Sequence, residues 1–415
     1  MKHKLKLILG NPKLIFQILF TFLILFLFKL GSNLDLPFAQ KNNLNALNLW
    51  GINPLKLFGL GIYPYIQASI VVQFLQKLLP ICREWKDQGQ IGKRKLNFLT
   101  RFLALLFVFG QTFSYCQSNN NSPISIIGQR TISHGTCFLI SLISAAGCAI
   151  LIWFSDLINS RGIGNGTSLL IIASMSGSLI SSFKELNTKY VNPILFQSFN
   201  STLFMQFITV ILILILFLVI TVIVQITSLK ISVHYARNQV SSRSNSYIPL
   251  KINTAGVMPV ILVQALTQPF YFLSSVIAND TFKKILKYLT QIQIINFAFV
   301  LHILLIIIFS FFSTFMNVNP EEISEHLSKQ DAYIAGLRPG EKTTHYLSYL
   351  LFKITIIGTL FMITLVATPY LMEHFFRLQK MKLGGTSLLI IVSVSIETIQ
   401  LIMATAKKKE YAKLF

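Results

Sequence analysis

The sequence predicts an all-α polytopic membrane protein with ten transmembrane helices. Three observations carry that prediction. Only 12% of the 415 residues are charged and 53% are hydrophobic, whereas a soluble domain is about one quarter charged. Apolar runs near the roughly 20 residues that cross a bilayer recur along the whole chain. The basic residues, which give a net charge of +22, collect in short segments between those runs.

The apolar runs cover 14–32, 59–79, 98–117, 133–154, 165–183, 204–228, 254–276, 293–316, 349–371 and 385–405. The N-terminal MKHKLKLILGNPKLIFQILF looks like a signal peptide. No small-residue cleavage site follows it and further spans do, so it reads as a retained first span. An even number of spans puts both termini on one side. Segments on that side include Arg83, Lys86, Lys93, Arg94 and Lys95, and Lys407, Lys408, Lys409 and Lys413. They hold nearly twice the Lys and Arg of the opposite loops, which places them on the side where proteins are made. Two five-span halves, 1–190 and 191–415, suit a pseudo-symmetric channel or transporter.

Several classes fall away. Cys82, Cys116, Cys137 and Cys148 form no CxxC pattern. The seven histidines give neither HExxH nor an i,i+4 pair, so no metal and no cofactor is expected. A membrane enzyme needs a Ser/His, paired-Asp or metal cluster within its spans, and His302 is the one histidine well inside a run. A basic protein can meet nucleic acid or anionic lipid. The loop placement of the charge points to membrane lipid first, with no DNA partner.

Four stretches break the pattern of plain lipid-facing helix. In LGIYPYIQASIVVQFLQ, Leu60–Gln76, Pro64 suits a helix start, where its missing N–H is no loss. Gln67, Ser69 and Gln73 fit either an ordinary span start or a span lining a watery path. RGIGNGTSLLIIASMSG, Arg161–Gly177, superficially resembles a phosphate loop but lacks its Gly-Lys-Ser/Thr ending. LKINTAGVMPVILVQALTQP, Leu250–Pro269, carries Pro259 and Pro269, which predict a kinked span, a moving part or plain packing. KLGGTSLLIIVSVSIETIQ, Lys382–Gln400, holds Glu397, an acid expected to snorkel to the interface. A fifth stretch, Asn319–Thr343, carries five of the fourteen acidic residues in a Gly/Pro-punctuated arm. A structureless loop of that length is improbable.

The GIYPYIQAS, GIGNG, NTAGVMP, NPEE…GLRPGE and GGTSLL blocks, in this order and spacing, resemble the SecY family, the pore-forming subunits of the general protein translocase. The resemblance covers nearly the whole chain. It implies two five-helix halves around an hourglass pore with a lateral gate, passing unfolded polypeptides across and laterally into the membrane. By motif position, it implies a pore ring of Ile62, Ile66, Thr167, Ile171, Ile261 and Ile390. Thr167 departs from the apolar pattern; its hydroxyl is expected to bond a backbone carbonyl of its own helix. A plug region would be 43–59, although Trp50, Pro54 and Lys56 replace the family's Gly-rich stretch. A gate cluster would be Gln67, Gln111 and Asn253. Docking loops 229–252 and 317–346 would present Arg237, Arg243 and Arg338, with His234 in the first loop, to a ribosome or SecA motor. The partners implied are SecE-like and SecG-like small membrane subunits and signal-bearing precursors. Richness in Lys, Asn, Ile and Phe points to an AT-rich genome and a plastid thylakoid membrane, with a bacterial inner membrane as the other host. The alternative function is a secondary transporter of a small solute, with Glu397 as its coupling acid.

Overall fold

A computed structural model describes residues 11–36, 40–41, 56–117, 124–125, 134–196, 201–235, 246–276, 296–337, 340–376 and 385–412. The chain forms two compact units. One comprises Met1–Lys184, Ala265–Thr290 and Glu397–Phe415, the other Glu185–Gln264 and Gln291–Ile396.

In the first unit, α1 is Pro12–Gly31, α2 Tyr63–Leu78, α3 Pro80–Asp87, α4 Gln90–Gln117 and α5 His134–Arg161, with α6, Gly166–Leu186, starting there. A short antiparallel pair, β1 (Gln40–Lys41) and β2 (Ile124–Ser125), joins two loops. Leu79 sits before Pro80, which disfavours helical backbone. It adopts an extended conformation, and α2 and α3 bend by 99° across it. Ala68, Ala104, Val108, Cys148 and Ile152 form one buried cluster of α2, α4 and α5. Ala68 and Ala104 are small enough to let helix backbones approach closely where lipid gives no hydrophobic drive to pair. Phe16, Leu19, Phe22, Phe98, Phe102 and Trp153 are exposed, as lipid-facing side chains are.

The second unit holds α8, Ser201–Ile226, after a short helix α7, Asn192–Phe196. It continues through β3 (Ser228–Tyr235), β4 (Ser246–Lys251), the start of α9 (Met258–Val276), α10 (Phe297–Asn317), α11 (Pro320–Lys329), β5 (Ala332–Ile334), α12 (Glu341–Phe376) and most of the first half of α13 (Gly385–Ala412). Each of the ten apolar runs falls on a helix: α1, α2, α4, α5, α6, α8, α9, α10, α12 and α13. Among the described residues, 8 helices pass a length and apolarity test for crossing a membrane, or 9 with the bent α2–α3 pair. The apolar part of α9, Met258–Thr267, is shorter. Pro259 is the second residue of α9, so it starts this helix rather than kinking it. Pro369, by contrast, lies inside α12.

The two loops expected to dock partners are joined to each other. β3 pairs antiparallel with β4, Ile231 opposite Ile248, and with β5, Val233 opposite Ile334. Ile231, Val233, Leu250, Ala332 and Ile334 point to one side and pack with Leu327, Leu347, Leu351 and Ile354 in a buried cluster. The arm's NPEE is a helix start. Asn319 Oδ1 accepts the Glu321 N–H at 3.2 Å, Pro320 takes the first position, and Glu321 and Glu322 sit at the positive end of the helix dipole. Ser324 Oγ donates to the Gly340 carbonyl at 2.9 Å, tying α11 to the head of α12. Lys329, hydrogen-bonded at 2.8 Å, holds the Glu325 carboxyl below its usual range. Both side chains are exposed, so the pair adds little stability. With 36 residues, α12 is about 54 Å long, well beyond a hydrocarbon core of about 30 Å.

Leu347→Ala removes a fully buried anchor of this cluster, a change that typically costs about 2–5 kcal/mol. The expected result is rapid protease cleavage within 320–337 in membranes, with the spans still protected. Unchanged resistance would show that the cluster does not hold the arm.

Candidate functional site

The six residues placed in the ring lie at the starts of four helices. Ile62 is the N-cap of α2 and Ile66 its fourth residue. Thr167 and Ile171 occupy the first two turns of α6. These four belong to the first unit. Ile261 is the fourth residue of α9 and Ile390 the sixth of α13, both in the second unit. Ile62, Ile171, Ile261 and Ile390 are buried, Ile66 and Thr167 partly exposed. Within the first unit the two starts approach each other. Gly61 has a positive φ of 59°, and a Cβ built on it would lie 3.0 Å from Ser174 Oγ of α6. Glycine thus both makes the turn into α2 and admits α6 beside it.

The turn from α5 into α6 is built from its own polar groups. The Ile163 N–H donates to Thr21 Oγ1 of α1 at 3.0 Å. Asn159 Oδ1 accepts the Gly166 N–H at 2.8 Å. Asn165 Oδ1 accepts both the Thr167 N–H, at 3.2 Å, and the Thr167 hydroxyl, at 2.7 Å. Two N–H groups at the head of α6, those of Gly166 and Thr167, are therefore taken by asparagine side chains. The Thr167 hydroxyl is also not bonded to a carbonyl of its own helix, as the sequence suggested. An Asn two residues upstream competes for it because that side chain already caps the helix. Gly166 lies against the Ser155 carbonyl so tightly that any Cβ would overlap it.

Of the polar gate residues, two meet. Gln111 Nε2 of α4 donates to Gln67 Oε1 of α2 at 2.9 Å. Gln67 is buried, beside the Tyr63 hydroxyl on the same helix. Asn253 lies in the other unit, in the turn before α9. Its Nδ2 donates to the Gly256 carbonyl at 3.2 Å, and its buried Oδ1 has no partner. The same turn is held by α10, where Ser313 Oγ donates to the Ala255 carbonyl and Asn317 Nδ2 to that of Thr254, both at 3.2 Å. Buried amides with an unmet donor or acceptor are uncommon and ask for an explanation.

Arg237, Arg243 and Arg338 lie outside the described residues, as does 43–55 of the expected plug. The remaining piece, Lys56–Gly59, is anchored. The Leu57 N–H donates to the Leu34 carbonyl at 3.0 Å, and the buried Phe58 ring contacts Phe28 and Phe154 at 6.1 and 6.2 Å. Glu397 is exposed on α13. Among the described residues no group of three or more His, Cys, Asp or Glu could hold a metal ion. Sequence reasoning missed the β3–β4–β5 sheet. Its signal was the strict alternation in Leu229–Tyr235, LKISVHY, which places Ile231 and Val233 on one side.

The sequence profile of the SecY family matches residues 56–399. The protein translocase subunit SecY of Staphylococcus aureus is 35% identical over 421 residues, 95% of each chain. That of Staphylococcus epidermidis is 34% identical over 420 residues, again 95% of each. Among solved structures, one described as a protein-conducting channel superposes with a TM-score of 0.71 at 17% identity, covering 94% of this chain and 92% of that one. Sec61 in the canine ribosome–channel complex from the endoplasmic reticulum gives 0.66 at 17% identity with the same coverage.

Gly166→Ala is expected to lower the steady-state level of the protein in membranes severalfold, because the Ser155 backbone cannot yield as a side chain could. Gly177→Ala, in open space on the same helix, serves as the control and should leave the level unchanged. Equal levels of the two variants would show that the close approach is not needed.

Proposed function

Because this chain belongs to the SecY family, we propose that it is the pore-forming subunit of a Sec translocase, a multi-pass membrane channel that conducts polypeptides. The observation that carries this is 35% identity to a translocase subunit across 95% of both chains. The finer reading has ten spans in two halves, 1–190 and 191–415, around an hourglass pore. The ring is Ile62, Ile66, Thr167, Ile171, Ile261 and Ile390. The support is their shared place at four helix starts and their β-branched, mostly buried side chains. A narrow apolar neck dewets and stops ions while a chain can still pass. Thr167 does not undo that chemistry, since its hydroxyl is spent on Asn165.

The gate cluster is Gln67, Gln111 and Asn253. What supports it is the direct Gln67–Gln111 bond and the burial of the Gln67 and Asn253 amides, the one in the first turns of α2 and the other in the turn before α9. Polar contacts of this sort are worth about 1–2 kcal/mol in a membrane. A signal sequence with a well-formed apolar core can outcompete that. The channel has no active site of its own, and nucleotide hydrolysis falls to partners. A ribosome on the extra-membrane platform has support in the likeness to Sec61 of a ribosome–channel complex. A SecA motor, SecE-like and SecG-like subunits, a plug at 43–59, docking through Arg237, Arg243 and Arg338, and a thylakoid membrane with both termini in the stroma complete the reading. The transporter alternative finds no support: Glu397, its coupling acid, is exposed rather than buried.

The reading is tested by supplying signal-bearing precursor to membrane vesicles with and without the chain. Protease-protected precursor that depends on the chain is expected; equal protection without it would refute the reading. In the same assay Gln67→Leu should raise passage of precursors with weakened signals about fivefold, the factor that roughly 1 kcal/mol implies. No change, or tighter discrimination, would remove Gln67 from the gate.

A further inference from the structure

Cys116 and Cys137 meet at one end of the first unit. Cys116 is the last residue but one of α4, and Cys137 is the fourth residue of α5. The connection 118–133 separates them in sequence, and the packing of α4 on α5 brings them back together. Their thiols are hydrogen-bonded to each other. Both are free and buried, 2% and 3% exposed. They share a cluster with Leu36 and Ile140, against which Leu57 and Phe113 pack. Leu36 and Leu57 come from the α1–α2 connection, whose strand β1 pairs with β2 of the α4–α5 connection. Cys148 shows the plainer use of this residue type, a small apolar filler among Ala68, Ala104, Val108 and Ile152, with no second sulfur in its cluster.

We propose that Cys116 and Cys137 are a redox-modification site, a dithiol that closes reversibly into a disulfide and staples the end of α4 to the start of α5. Hydrogen-bonded thiols on packed helices already face each other, so closing the bond asks for a small shift rather than a rearranged backbone. By the loop charges, this end of α4 lies on the face opposite the termini. The side from which the oxidant comes rests on that orientation reading; the pair itself does not. In a bacterial inner membrane that face is the oxidising one, where disulfides form and persist. The oxidant is a small-molecule disulfide. One cysteine thiolate attacks it, its S–S bond breaks, and one half leaves as a thiol. The second cysteine then attacks the mixed disulfide, the Cys116–Cys137 bond forms, and the other half leaves. Two electrons and two protons pass from the pair to the oxidant. Exchange is slow while Leu36 and Leu57 pack over the sulfurs, because attack needs an accessible thiolate. The staple closes 118–133 into a covalent loop and fixes α4 about one and a half turns from Gln111, the residue that bonds Gln67.

The test uses the full chain in membranes, exposed to oxidised glutathione on one face or the other. The chain is then unfolded in excess of a maleimide whose added mass counts free thiols. Without oxidant, all four cysteines should be labelled. With oxidised glutathione on the face opposite the termini, Cys116 and Cys137 should lose their labels, and dithiothreitol before unfolding should restore them. Peptide mass spectrometry should find the two cysteines linked to each other. Cys116→Ser should form no internal bond, whereas Cys82→Ser with Cys148→Ser should form it as the parent does. Diamide, a small membrane-permeant oxidant, provides an arm in which cover matters less. Full labelling after diamide overturns the site, as do mixed disulfides with glutathione that never resolve into the internal bond. Closure by diamide, but by oxidised glutathione on neither face, overturns the exchange step. Closure only when oxidised glutathione is given on the side of the termini overturns the orientation reading and leaves the pair standing.

Discussion

A bilayer core offers no water to an unpaired N–H or carbonyl, so every backbone group there must find its partner within the protein. Helices meet that demand along their length and fail it at their ends. In this chain the informative residues are those that repair the ends. Asn165 and Asn159 take up the first N–H groups of α6. Ser313 and Asn317 of α10 satisfy the carbonyls of the turn before α9. Pro64 and Pro259 begin α2 and α9 with no N–H to satisfy. Ile66, Thr167, Ile171 and Ile261 sit just beyond these repaired starts, so the same local chemistry that lets a helix begin also positions these side chains of the proposed neck.

Much of this was legible in the sequence because it is local. Apolar run length located ten helices, and Gly, Pro and Asn clusters marked the places where those helices start. The NPEE block announced α11 through its cap, its proline and its acids. What could not be read was set by partners distant in sequence. Thr167 was assigned a carbonyl partner, and the competing Asn165 side chain won because it was already turned toward the head of α6. Pro259 was read as a kink, since the sequence alone did not show that α9 begins only at Met258. The polar sheet was hidden for a different reason. β3 alternates legibly, but Ala332–Ile334 is three residues long and has meaning only when paired with a strand about a hundred residues earlier.

That sheet alters how the two projecting segments are understood. Separate loops would each sample many conformations and lose them on meeting a partner. Here β3, β4, β5, α11 and the head of α12 share one buried cluster, so most of that ordering is complete before any partner arrives. Under the proposed docking, a large partner would therefore meet a shaped surface, while the acids of α11 cap and pair within their own helix.

The central claim is that a polypeptide passes the starts of α2 and α9. Site-specific crosslinking from Ile66 and Ile261 to a stalled, signal-bearing chain tests it most directly. Adducts from both positions, lost when an arginine interrupts the apolar core of the signal, are the result this account requires. Adducts from neither position, while the stalled chain is still delivered to the membrane and its ribosome still crosslinks to the arm, would contradict it.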